Sequence, residues 1–113
     1  MAVFNGAFPL QPGKEAAVRE FAKACMTKRA GEFNAQQAQA DVVRETWTLA
    51  ETPAGTVVMV WFDGDVEKAF ADIGSDDTDF AKWFRGQVKD TTGFDLAAPD
   101  DTPPPEVILD WSA

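Results

Sequence analysis

This sequence predicts an α+β domain ordered strand, helix, strand, strand, helix, strand, and three observations carry that prediction. Apolar residues alternate with period two in four separate stretches, whereas the segments after the first and third of these repeat at helical spacing. Only Thr52-Pro53-Ala54-Gly55 separates the second stretch from the third, which is hairpin turn chemistry. This order is the split βαβ arrangement, βαββαβ, called ferredoxin-like: a four-stranded antiparallel sheet with its crossover helices on one face. At 113 residues the chain fits one such domain, residues 1–113.

The first strand is expected over residues 2–10, where Phe4, Phe8 and Leu10 share one register and Val3, Asn5 and Ala7 the other. Pro9 and Pro12-Gly13 end it. From Lys14, the residues Val18, Phe21, Ala22, Cys25 and Met26 fall on one helical face, and the Ala/Gln-rich continuation to Ala40 predicts one long helix bent near Gly31.

Residues 41–51 change period. Val43, Trp47 and Leu49 alternate with Arg44, Thr46, Thr48 and Ala50, and Glu45 is the one polar interruption of the apolar register. The central strand follows as Thr56-Val57-Val58-Met59-Val60-Trp61-Phe62. Val57, Met59 and Trp61 point one way and Val58, Val60 and Phe62 the other, so both faces need cover.

Asp65 is placed as the N-cap of a short helix carrying Val66, Ala69, Phe70 and Ile73, with Gly74 as its stop. Phe80, Trp83, Phe84 and Val88 form a further helical stripe ending near Gly93. Three consecutive prolines, 103 to 105, mark an extended surface connection. Glu106-Val107-Ile108-Leu109-Asp110-Trp111 then predicts the fourth strand.

Helices on one face of the sheet leave the other bare, although the central strand is apolar on both sides. Burying a large apolar side chain is worth roughly 1.5 to 3 kcal/mol, so a second subunit is the economical cover. Two sheets stacked face to face make a symmetric homodimer, and the space between them is the expected small-molecule cavity.

Three stretches carry a family resemblance: Pro9-Leu10-Gln11-Pro12-Gly13-Lys14, Phe80-Ala81-Lys82-Trp83-Phe84-Arg85-Gly86-Gln87-Val88, and Gly93-Phe94-Asp95-Leu96 with the later Val107-Ile108-Leu109-Asp110-Trp111. Together they resemble a family of small, uncharacterised bacterial proteins related to the dimeric α+β-barrel group. The resemblance implies the ferredoxin-like fold and the dimer. It brings no reaction and no catalytic residues.

Composition narrows the partners. Nineteen acidic against ten basic residues give a net charge of −9, which opposes phosphate binding and argues against nucleic acid. No apolar run approaches the roughly 20 residues that cross a bilayer, and no basic region leads into an apolar segment at the N-terminus, so a cytoplasmic protein without a membrane partner is expected. The absence of histidine and tyrosine removes the usual haem ligand and common acid–base groups. No metal or cofactor is expected: Asp63-Gly64-Asp65-Val66-Glu67 begins like a calcium loop, but Lys68 stands where glycine is required.

The candidate ligand-binding residues are the polar positions of the strands and one tryptophan: Asn5, Arg44, Thr46, Trp61 and Asp110. On one sheet face lining a dimer cavity, Arg44 holds an anionic or carbonyl oxygen and Asp110 or Glu106 serves as a base. The plainer reading is interface polar groups that satisfy one another. The same holds for the four tryptophans as packing anchors and for Cys25 as a small hydrophobe. Two functions follow: a small-molecule binder or cofactor-independent enzyme working in the dimer cavity, or a non-catalytic structural or regulatory module that meets another protein. No motif fixes a chemistry.

Overall fold

A computed structural model describes residues 2–98 and 102–113. Seven elements follow in order: β1 (Ala2–Pro9), α1 (Glu15–Met26), α2 (Ala30–Gln39), β2 (Arg44–Thr52), β3 (Gly55–Gly64), α3 (Val66–Ser75) and α4 (Asp79–Thr92). The three strands form one antiparallel sheet in the order β1-β3-β2, with β3 central. The chain is therefore α+β, as its periodicities predict.

The hairpin forms where the turn residues place it. Thr52 Oγ1 accepts from the Ala54 N–H and donates to the Gly55 carbonyl, so one side chain organises the turn. Asp65 caps α3 by accepting from the Lys68 N–H, and Thr78 caps α4 by accepting from the Ala81 N–H. Gly93 ends α4 in the left-handed region at φ 78°, with its N–H on the Lys89 carbonyl.

Two expectations need correction. The long helix over residues 14–40 is two helices, and the break lies at 27–29 rather than at Gly31. Thr27 sits outside helical geometry, and the Arg29 N–H returns to the Ala24 carbonyl. The break re-aims α2, whose one large apolar side chain, Phe33, then reaches Trp47 and Phe84. Gly31 lies in the first turn of α2, where it interrupts nothing.

The fourth strand is the second correction. Residues 106–111 pair with no strand, and Ile108, Leu109 and Trp111 are 89, 83 and 78 % exposed. The route of the chain explains this. Beyond α4 it passes outside the sheet: Phe94 packs on Phe8 at the end of β1, and the Leu96 carbonyl lies against Gly74 of α3. Pro104 then shares a surface depression with Ala2, Gly64 and Val66, at the start of β1. Residues 94 and 104 thus lie near opposite ends of β1.

The core lies between the sheet and the helices. Phe4, Val58 and Phe62 are buried on the sheet side, facing Val18, Phe21 and Cys25 of α1, Ile73 of α3 and Phe80 and Ala81 of α4. Phe21 is its hub, with ring centroids 5.0 Å from Trp47, 5.4 Å from Trp83 and 5.0 Å from Phe84.

Candidate functional site

The pairing register sorts every strand residue by face. Phe4, Phe8, Glu45, Trp47, Val58, Val60 and Phe62 face the helices. On the open face the cross-strand rows are Val3, Asp63 and Arg44, then Asn5, Trp61 and Thr46, then Ala7, Met59 and Thr48. Asn5, Arg44, Thr46 and Trp61 therefore occupy two adjacent rows of one face. Asn5, Arg44 and Thr46 are exposed and Trp61 is half-buried. Asp110 is not brought to them, because the segment that carries it stands away from the sheet.

One polar atom of this face lacks a partner. Asp63 Oδ1 is buried and receives no hydrogen bond, although Arg44 stands directly across the strand pair. A buried carboxylate oxygen without a donor incurs a desolvation penalty of about 1 to 3 kcal/mol. This face carries no enclosed cavity among those found between described residues.

A partly open space lies on the other face. A cavity of about 100 Å³ lies between sheet and helices, walled by Phe4, Phe8, Phe21, Trp47, Phe70, Phe84 and aliphatic neighbours. Roughly 10 to 15 Å³ admits a water and about 150 Å³ holds a benzene ring, so this space alone is smaller than a ring needs, and a ring fits only by extending into the adjoining recesses. Two further recesses adjoin it, one of about 70 Å³ beside α2 and one of about 200 Å³ beside Cys25, and Glu45 lines all three.

Glu45 is the one ionisable group in the lining of the main cavity. It arrives there because β2 alternates: Glu45, Trp47 and Leu49 share the helix-facing register. Both of its oxygens are held. Gln37 Nε2, from the last turn of α2, donates to Oε1 at 2.7 Å, and Trp47 Nε1 donates to Oε2 at 2.5 Å. Burial pushes the carboxyl above its ordinary value, against the opposing pull of the Gln37 and Trp47 donors. Each oxygen keeps a further lone pair, so the group can still accept from a ligand.

Other polar groups near the cavity are spoken for. Thr91, 1 % exposed, donates its hydroxyl to the Gln87 carbonyl, and Thr92 donates to that of Val88. Cys25 is buried beside Glu45. Burial first, and the neighbouring carboxylate second, push its thiol up to about 12, which suits a packing role rather than a nucleophile. Trp47 walls the cavity, whereas Trp83 stacks under the Arg29 guanidinium at 4.5 Å.

Among the described residues no group of three or more His, Cys, Asp or Glu side chains is placed to hold a metal, and no helix is long and apolar enough to cross a membrane. No protein-family model matches the chain, and neither a curated protein nor a solved structure matches it. The function therefore has to be read from the geometry.

Glu45 was not among the candidates drawn from the strand alternation, which favoured the polar register. Its signal in the sequence is the opposite one: a charged residue in the apolar register of β2. Such a residue must be buried with its partners or expelled.

Proposed function

We propose that this chain binds a small, predominantly apolar molecule in the helix-side cavity, with Glu45 as the polar anchor, either as a binding protein or as a cofactor-independent enzyme. The observation that carries this reading is a partly buried, doubly hydrogen-bonded carboxyl group that is the one ionisable side chain lining an aromatic-walled space. A carboxyl group raised by burial holds its proton more tightly than a free one, which suits it to share or exchange that proton with a bound hydroxyl. The ligand then sits inside each subunit rather than between two sheets. A homodimer held by the segment exchange proposed below can also bring the open faces together and cover Met59 and Trp61.

Phenol and benzene test this. With phenol, chemical-shift changes are expected at Phe21, Trp47 and Phe84, with affinity at least about tenfold weaker in Glu45→Gln; benzene should lose nothing on that substitution. Failure of both probes to perturb the cavity residues at millimolar concentration overturns the reading.

A second reading, a non-catalytic interaction module, draws on the exposed apolar segment at Val107, Ile108, Leu109 and Trp111. It requires a heterologous protein seated there. Association of the chain only with itself counts against it.

A further inference from the structure

We propose that residues 106–111 of one copy pair along the free edge of β1 in a second copy, and reciprocally, so that each sheet gains its fourth strand from its partner. The inference goes beyond the ligand reading and does not depend on it.

Three observations on one chain lead there. The first is the segment itself: Val107, Leu109 and Trp111 share one strand register and Ile108 lies in the other. Ile108, Leu109 and Trp111 are largely exposed, and Val107 is about half covered. Leaving that much apolar surface in water is unfavourable, and strand addition buries it while satisfying the backbone.

The second is the edge. β1 has a neighbour on one side, and from Ala2 to Pro9 it carries no charged residue. The other free edge, β2, carries Arg44, Glu45 and Glu51, the kind of charge that discourages pairing. In the split βαβ order the place beside the first strand belongs to the fourth. It is the better acceptor.

The third is the path, which separates exchange from pairing at home. The chain passes Phe8 at residue 94 and reaches Ala2 at Pro104, so the segment starts where an antiparallel fourth strand should finish. To lie on its own β1 it would have to double back at once after three consecutive prolines. Their fixed φ holds the chain extended. Extended, it leaves the body and is delivered to another.

The test compares the full chain with a variant ending at Pro105 and with Leu109→Asp, by native mass spectrometry, light scattering and amide exchange. The full chain is expected to be a dimer with protected β1 amides. Both variants should keep the far-ultraviolet signature of the fold, associate at least about 100-fold more weakly and lose that protection. A monomeric full chain overturns the proposal, even with β1 protected, because pairing is then within one chain. A dimer that survives deletion unchanged overturns it as well. Phenol binding by the deletion variant should be unaltered, so the two readings fail separately.

Discussion

The indole N–H of Trp47 donates to Glu45 Oε2 at 2.5 Å from two residues further along the same strand. Strand residues two apart share a face, so β2 carries both the buried acid and its donor. The remaining oxygen is held from α2 by Gln37. The arrangement ties the charge state of one carboxyl group to the packing of strand against helix.

A pH dependence follows. Burial raises the Glu45 carboxyl in the folded chain above its ordinary 4.5. The folded state therefore holds that proton more tightly than the unfolded chain. The favourable contribution is full below pH 4.5, and it is lost as pH rises through the folded value. In urea titrations across pH, wild type should lose stability relative to Glu45→Gln over that interval, by about 1.4 kcal/mol for each unit by which the carboxyl is raised. Parallel curves for the two proteins would show that Glu45 titrates normally.

Trp47→Phe keeps a ring against Phe21, Phe33 and Phe84 and removes the N–H. A loss of about 1 to 3 kcal/mol is expected, since a buried acid loses a donor. The Glu45 carboxyl should rise further, because one interaction favouring its charged form is gone. The isotope-edited carboxyl stretch reports the shift directly.

Gly74→Ala should reverse a familiar sign. Inside a helix alanine is ordinarily better than glycine by roughly 1 kcal/mol. At this position a Cβ meets the Leu96 carbonyl oxygen at 2.6 Å, so the chain that crosses α3 must move. A net destabilisation of about 1 to 3 kcal/mol is expected by urea denaturation, with faster proteolysis near Leu96. A stabilised variant would mean that the crossing is loosely held.

Much of this could be read in the residues. Period-two alternation is enough to find β1, β2 and β3, since it is a local property, whereas the cross-strand register that sets Trp61 between Asn5 and Thr46 is seen only in the structure. Caps at Asp65 and Gly93 were legible because they too are local. The break at 27–29 was not, because no glycine or proline marks it: what decides it is the reach of Phe33 to Trp47 and Phe84. Alternation also could not say whether residues 106–111 find an edge, since that depends on where the preceding prolines deliver them. Glu45 was visible as an exception to its register, but its partners come from another helix.

An acceptor edge and a donor segment on the same chain obey a counting rule. Two copies that exchange segments fill both β1 edges and stop there. In a linear row each added copy fills one edge and opens another, so the row has no natural length. Which outcome prevails is set by the angle at which residues 103–105 launch the segment, and prolines are the residues that hold such an angle most firmly. Loosening that triplet with glycine would exchange a closed pair for a distribution of strings.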